Sequence, residues 1–304
     1  MYIADMHSDS LSEVSSTRGL STLYNTSANN PQLTFFAAFT KFAGKSLNER
    51  RATVNRLLNV YLYETERLKL HRLLSAKDVI HATDCGISSS IFSIEGGGGL
   101  LPDCDELFTF HKAGLRVMGL AWDTNELCAA AYETSRNDFG LTYEGKRLIA
   151  NLCELGITVD VSHMSDKAIC QTLEVCPLPV IATHSNFRKV VDLPRNLPDE
   201  LAKEIVSRGG VIGLNLYPPF LSSTDIATEE DIIRHVDYAL ELLGEGALGL
   251  GLDIDGTLSK YPLGFDESSS IHDRLYLMLA RHYSEDTVKR IMGQNVIDFL
   301  KGAL

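Results

Sequence analysis

The chain has 304 residues, of which 44% are hydrophobic and 22% charged, and its formal net charge at pH 7 is −12. This length can bury a large core, and no stretch approaches the roughly 18 unbroken apolar residues of a membrane span. Negative charge repels phosphate backbones and anionic lipids, so we expect neither nucleic acid nor a membrane surface as a partner.

Short apolar runs alternate with longer helical patterns along the chain. Eight such runs occupy residues 2–7, 33–40, 89–96, 115–122, 157–163, 179–185, 209–217 and 247–253. Most are almost continuously apolar, which is typical of parallel strands covered on both faces. Eight strands alternating with helices over about 250 residues predict a single α/β domain over residues 1–304, a (β/α)₈ TIM barrel. A doubly wound open sheet is the competing prediction.

Residues with functional side chains end or follow these apolar runs, and most of them carry an imidazole or a carboxylate. In a barrel, the carboxyl ends of the strands carry the chemistry. The residues at these positions are His7, Asp9, Glu95, Trp122, His163, His184, Asn215 and Asp253. Imidazoles and carboxylates together are what a divalent transition metal needs, so this pattern predicts a metal site.

The spacing of these residues allows two metal ions. His7 and Asp9 are two residues apart, so both side chains leave a strand on one face and can bind one ion. His163 and His184, on neighbouring predicted strands, can bind a second, and the two oxygens of Glu95 can bridge the pair. Two metals about 3.5–4 Å apart can share a water and lower its pKa.

The alternative interpretation is that these histidines are structural, because a single histidine at a strand end is more often hydrogen-bonded than metal-bound. The joint occurrence of five ligand types at predicted strand ends favours the metal site. The remaining histidines fall in helical or loop segments and are predicted to be surface or packing residues: His71, His81, His111, His235, His272 and His282.

The sequence LGLGLDIDGTL, which contains Asp253 and Thr257, matches the signature of haloacid-dehalogenase phosphatases. That family carries the motif on its first strand and needs more than the 47 residues that follow Thr257 here. A phosphatase would also leave the histidines and Glu95 unexplained. We therefore treat the phosphatase as the weaker alternative.

The cysteines and the N-terminus indicate the compartment. The six cysteines include no C-x-x-C pair, which favours reduced thiols over a disulfide or zinc framework. The first residues, MYIADMHSDS, lack the basic and apolar regions of a signal peptide. These features predict a cytoplasmic protein.

Six ordered motifs, DMHSDSL, SIEGG, DVSHMS, VIATHSN, RNLPDE and GLDIDG, resemble those of the membrane (renal) dipeptidase family, the M19 metallopeptidases. A weaker similarity, IMGQNVIDFL, extends the resemblance to nearly the whole chain. The resemblance implies an amidohydrolase-type barrel that cleaves dipeptides, including those with a C-terminal D-residue, at two zinc ions. It also suggests a homodimer.

The resemblance further implies individual roles. His7 and Asp9 match the ligands of one zinc, and His163 and His184 match the ligands of the other. Glu95 matches the carboxylate that bridges the two. Asp253 matches the acidic residue that moves the proton. The arginine that holds the terminal carboxylate of the substrate is matched by Arg195, which precedes a predicted helix N-terminus and suits a carboxylate.

One departure from the family concerns substrate binding. Where the mammalian enzyme has a histidine in an LTH context, this chain has LAWDTN and therefore Trp122. Indole offers a single N–H donor and cannot titrate, so the substrate range is open, and Asn125 is a candidate replacement donor. Two further alternatives are another binuclear amidohydrolase, such as an N-acyl amino acid deacylase, and a binding protein that has lost its chemistry.

Overall fold

The computed structural model describes residues 1–14, 32–41, 44–100, 103–133, 138–224, 226–257, 260–265 and 271–304. In this part of the chain eight strands form one sheet. The strands are β1 (Ala4–Ser8), β2 (Leu33–Phe39), β3 (His71–Arg72), β4 (Ser89–Glu95), β5 (Leu115–Gly119), β6 (Thr158–Asp160), β7 (Ile212–Leu214) and β8 (Leu248–Leu250).

Helices separate most of the strands. They are α1 (Ser10–Val14), α2 (Leu47–Arg67), α3 (Ala76–Cys85), α4 (Cys104–Ala113), α5 (Tyr143–Glu154), α6 (Asp166–Val175), α7 (Asp199–Ser207), α8 (Pro218–Leu221), α9 (Glu229–Leu243), α10 (Ile271–His282), α11 (Glu285–Lys289) and α12 (Asn295–Ala303). A π-helical turn, Arg290–Gln294, joins α11 to α12. Among the described helices, none is both long enough and apolar enough to cross a bilayer.

The strands pair in parallel in the order β6-β5-β4-β2-β1-β8-β7, with the short β3 beside the start of β4. Isolated parallel bridges link Asp160 of β6 to Ile181, and Ala182 to Ile212 of β7. The segment 181–182 therefore completes the circuit between the two ends of the sheet. The predicted barrel is confirmed.

Two strand predictions need correction. The run 179–185 pairs only through these single bridges, because the chain turns out of the sheet towards Thr183 and His184 rather than extending a ladder. Strand β3, which has only two residues, was not predicted, since a pair of half-buried residues leaves no apolar run. The other seven runs each contain a strand.

Both faces of the sheet are buried, as the continuous apolar runs predict. Phe92 of β4 belongs to a cluster that includes Tyr61 of α2, with ring centroids 5.1 Å apart. Its neighbour Ile91 belongs to a second cluster that includes Val296 of α12. Successive residues of one strand therefore pack in different clusters, and the polar strand ends lie on a rigid wall.

The wall between segment 181–183 and β7 leaves no room for a side chain at Gly213. A Cβ there would lie 1.9 Å from the carbonyl oxygen of Thr183. Because that oxygen belongs to the backbone, we expect Gly213→Ala to lower the free energy of unfolding by about 3 kcal/mol, measured by chemical denaturation. Gly246→Ala, where no atom lies within 4 Å, is the matched control and should be nearly neutral. Equal stability of both variants would contradict the closed wall.

Candidate metal centre

The barrel brings the polar strand ends to one site. His7 is the next-to-last residue of β1, Glu95 is the last residue of β4, and the others lie in loops. Five of the six residues are buried and Asp253 is half-buried. The structure thus collects side chains that are far apart in sequence: His7, Asp9, Glu95, His163, His184 and Asp253.

Glu95 lies between two groups of these residues. Its Oε1 atom is 2.9 Å from Nε2 of His163 and 3.3 Å from Nε2 of His184. Its Oε2 atom is 3.6 Å from Nε2 of His7. The two oxygens of one carboxylate therefore face two different sets of ligand atoms, which is the arrangement that a bridging ligand requires.

The first set surrounds His7. Its Nε2 atom lies 3.7 Å from Oδ2 of Asp9 and 3.8 Å from Oδ1 of Asp253, beside the 3.6 Å contact with Glu95. Within the described residues, buried Nε2 of His7 and Oδ1 of Asp9 have no hydrogen-bond partner. Ligand atoms of a tetrahedral ion with bonds of about 2.0–2.2 Å lie about 3.3–3.6 Å apart, so the spacing and the orphaned atoms fit a cation.

The second set depends on His184, whose orientation is fixed from behind. Nδ1 of His184 is 2.7 Å from the hydroxyl of Thr183, which donates to Oδ2 of Asp160 at 2.5 Å. Because the hydroxyl proton goes to Asp160, the hydroxyl accepts the Nδ1–H of His184. The lone pair of Nε2 then faces Glu95, as a metal-binding imidazole requires.

His163 is arranged differently. Nε of Arg195 donates to Nδ1 of His163 at 3.2 Å, so the proton of the neutral ring lies on Nε2. This nitrogen lies 2.9 Å from both Glu95 Oε1 and His184 Nε2. His163 would bind an ion through Nε2 only after this contact with Arg195 changes, whereas His184 has its lone pair in place.

Burial sets the charge of these groups. It lowers the pKa of His163 and His184 well below the usual value, and the nearby Arg195 and His7 add to this effect, so both rings are neutral as ligands should be. Burial raises the pKa of Glu95 to about 7. Burial alone would lower the pKa of His7, but the carboxylates of Glu95 and Asp9 outweigh it and raise that pKa. The cluster of acids favours a positive charge at its centre.

The residues that follow β8 pack closely against this site. Nδ2 of Asn215 donates to Oδ2 of Asp253 at 3.1 Å, and Asp253 itself has a left-handed φ of 61°. A Cβ at Gly256 would lie 2.1 Å from Asp253 Oδ1 and 2.4 Å from Asp9 Oδ2. Oδ2 of Asp255 accepts a hydrogen bond from Ser10 Oγ at 2.6 Å. The Asp-x-Asp-Gly pattern is therefore explained by crowding at the mouth of a barrel.

Comparisons with known proteins agree with this geometry. The family model "Membrane dipeptidase (Peptidase family M19)" matches residues 8–303. The chain belongs to this family. It is 30% identical over 245 residues to an uncharacterized protein in the pqqA 5′ region of Klebsiella pneumoniae, covering 77% of this chain and 89% of that one.

Dipeptidases are also among the relatives. The dipeptidase tcpJ of Claviceps purpurea is 30% identical over 251 residues, which cover 82% of this chain, and the match spans 57% of the fungal protein. A solved metallopeptidase of Rhodobacter sphaeroides, liganded with a phosphinate mimic of the dipeptide L-Ala-D-Ala, superposes with a TM-score of 0.88 at 23% identity. That superposition covers 100% of this chain and 99% of the other. This M19 family member thus has the metallopeptidase fold.

The three residues predicted to bind substrate lie in different settings. The ring of Trp122 lies 6.2 Å from that of His163, beside the site. Arg195 is buried next to His163 and also donates to Ser185 Oγ and to the carbonyl of His184. The amide of Asn125 donates to the carbonyls of Leu120 and Asp123, within its own loop. The contact of Asn125 with substrate stays a prediction. In the structure its side-chain amide links two carbonyl groups of its own loop.

Sequence reasoning missed the pair Asp5 and His272. His272 of α10, predicted to be a surface or packing residue, is buried, and its Nε2 atom lies 2.9 Å from Oδ2 of Asp5. Oδ1 of Asp5 accepts the N–H of His7 at 3.3 Å and of Leu252 at 3.0 Å. The pair therefore ties the ends of β1 and β8 to a helix. A histidine 267 positions away from its partner gives no local signal.

The hydrogen-bonded chain from Asp160 through Thr183 to His184 can be tested by Thr183→Val. This change keeps the shape but removes the hydroxyl, so His184 Nδ1 loses its acceptor and Asp160 Oδ2 loses its donor. We expect zinc affinity, measured by competition with a chromogenic chelator, to fall about 10–100-fold. Thr172→Val, which removes a buried hydroxyl bonded only within α6 and to Met164, should leave it unchanged. Equal affinities would show that Thr183 does not orient the ligand.

Proposed function

We propose that this chain is a zinc-dependent dipeptidase, which hydrolyses the amide bond of two-residue peptides at two ions bridged by Glu95. The observation that carries the proposal is the position of Glu95, whose oxygens face His7 on one side and His163 and His184 on the other. A site for one ion would need no such two-sided carboxylate.

The chain offers a complete set of ligands for zinc. His7, Asp9 and Glu95 would hold one ion, and Glu95, His163 and His184 the other. Neutral imidazoles and carboxylates are the ligand types of catalytic zinc sites. When bound, the two ions supply a hydrolytic nucleophile at neutral pH and polarise the scissile carbonyl.

We propose that Asp253 moves the proton. Asn215 holds its Oδ2 atom, and its Oδ1 atom faces the first set of ligands, 3.8 Å from Nε2 of His7. Burial raises the pKa of this carboxyl above its ordinary value, so it holds a proton more readily than an exposed aspartate. It can therefore accept a proton from the attacking water and deliver it to the leaving amine.

We propose that Arg195 limits the length of the substrate. Its guanidinium lies against the ring of Phe220, with Cζ 5.3 Å from the ring centroid, and its three bonds to His163, Ser185 and His184 use three of its five N–H groups. The remaining donors would bind a free carboxylate close to the ligands. Holding a terminal carboxylate there would restrict the enzyme to very short peptides.

The stereochemistry of the substrate is also part of the proposal. The Rhodobacter relative takes a mimic of L-Ala-D-Ala, so we include peptides with a C-terminal D-residue among the expected substrates. An N-acyl amino acid also carries a free carboxylate, so a deacylase is the alternative function. A screen of dipeptides against N-acyl amino acids would distinguish the two activities. A single domain over residues 1–304, a homodimer and a cytoplasmic location stay predictions.

Asp253→Asn tests the proton transfer. The amide cannot accept the proton, so we expect kcat for a dipeptide to fall by about 10²-fold or more, while about two zinc ions per chain are retained. The measurements are steady-state kinetics and elemental analysis of the zinc-loaded protein.

Asp255→Asn is the matched control, since this neighbouring carboxylate accepts a hydrogen bond from Ser10 and is not among the proposed ligands. It should keep kcat within a few-fold of the parent. Parental turnover by Asp253→Asn would remove the proton-transfer role. Zinc-loaded protein that hydrolyses phosphate esters but no dipeptide or N-acyl amino acid would overturn the proposed function.

Arg195→Lys tests carboxylate recognition. Lysine keeps the charge but loses the planar fork, so we expect kcat/KM for free-carboxylate dipeptides to fall about 30-fold, roughly 2 kcal/mol. C-terminally amidated dipeptides should lose little, because they present no carboxylate. Equal losses on both substrates would assign Arg195 to the support of His163 and His184 alone, and zinc content would show whether that support has failed.

A further inference from the structure

A group of aromatic and basic side chains lies beside His163. Trp122, half-buried, tilts its ring by 38° towards His163, with centroids 6.2 Å apart. The edge of Phe39, the last residue of β2, meets the indole with centroids 5.1 Å apart. Exposed Lys41 places its ammonium 5.1 Å from the indole centroid. We call Phe39, Lys41 and Trp122 the Trp122 rim.

The rim combines apolar surface with one positive charge. The indole and the Phe39 ring offer flat apolar faces, and the Lys41 ammonium caps the outer side through a cation–π contact. Arg195 also contacts His163, donating to its Nδ1 atom. His163 is therefore in contact with a buried cation and lies beside the ring that carries an exposed one.

Two separate cations near His163, Arg195 and Lys41, suit a substrate with two carboxylates. We infer that the Trp122 rim selects dipeptides with an acidic side chain, in addition to the terminal carboxylate assigned to Arg195. The methylene groups of a glutamate or aspartate side chain would lie on the indole. Their carboxylate would face the ammonium of Lys41. The inference rests on the proposed dipeptidase function and adds the side-chain class that the site prefers.

The electrostatic surroundings sharpen this preference. The chain carries a net charge of −12, so an anionic side chain needs a local cation to approach. An exposed ammonium is screened by salt, whereas buried Arg195 is screened much less. The preference for acidic dipeptides should therefore weaken at high ionic strength, and the requirement for a terminal carboxylate should not.

Lys41→Gln tests the charge, with L-Ala-L-Glu against L-Ala-L-Gln and L-Glu-L-Ala against L-Gln-L-Ala as matched substrate pairs. We expect the parent to favour the acidic member of one pair in kcat/KM. The variant should lose about five-fold of that preference, the scale of an exposed ion pair. Lys41→Glu should reverse it.

Lys112→Gln is the matched control. This lysine also lies over an exposed aromatic ring, with Nζ 4.4 Å from the centroid of Phe108, and its loss changes the net charge by the same amount. It should leave the acid-to-amide ratio unchanged. A drop in the ratio equal to that of Lys41→Gln would show an effect of overall charge and overturn the assignment to the rim.

Trp122→Leu separates the apolar part from the charge. We expect it to lower kcat/KM for acidic and amide dipeptides alike, because the methylenes lose their platform. Rescue by Trp122→Phe would support the stacking role, and a full parental rate for Trp122→Leu would overturn it.

Binding can be measured without turnover, since Trp122 is the only tryptophan of the chain and its fluorescence reports on the rim. Stopped-flow titrations of zinc-loaded protein should give tighter binding of the acidic member in the same substrate pair that shows the preference in kcat/KM. Equal affinities in parent and Lys41→Gln overturn the inference. Discrimination in binding with no hydrolysis of any dipeptide would instead overturn the proposed function while keeping the rim.

Discussion

The structure depends on one buried carboxylate that faces two sets of ligand atoms. Glu95 has its oxygens directed towards His7 on one side and towards His163 and His184 on the other. Burying a carboxylate costs several kcal/mol unless charge and hydrogen bonds compensate it. The high pKa of His7 shows how strongly these acids attract positive charge. Metal ions would meet this demand, and the rest of the site holds Glu95 and its neighbours in position to receive them.

That support comes from polar residues behind the ligands. Asp160 and Thr183 fix the ring of His184, and Asp5, held by His272, fixes the backbone at the ends of β1 and β8. These groups are buried, so each would be costly without its partner. Supporting contacts of this kind explain how the site stays aligned although its ligands come from different strands and loops.

The backbone departs from regular secondary structure around the site. His163 and Asp253 have left-handed φ values of 67° and 61°, in a region that residues other than glycine adopt at a cost of about 1–3 kcal/mol. The segment around Ile181 pairs through single bridges and then turns inward. The barrel wall is tight enough, as at Gly213, to hold these departures in place.

The sequence by itself determined the barrel, the strand ends and the types of side chain that meet there, because strand periodicity and ligand chemistry are local properties. The motifs also determined the family, which the match over residues 8–303 confirms. Only the tertiary structure decided which oxygen of Glu95 faces which ring, where the proton of His163 lies, and that His272 supports the site. It also decided that Lys41 lies over Trp122. These relations join residues up to 267 positions apart, and they depend on the twist and stagger of the closed sheet, which no local pattern encodes.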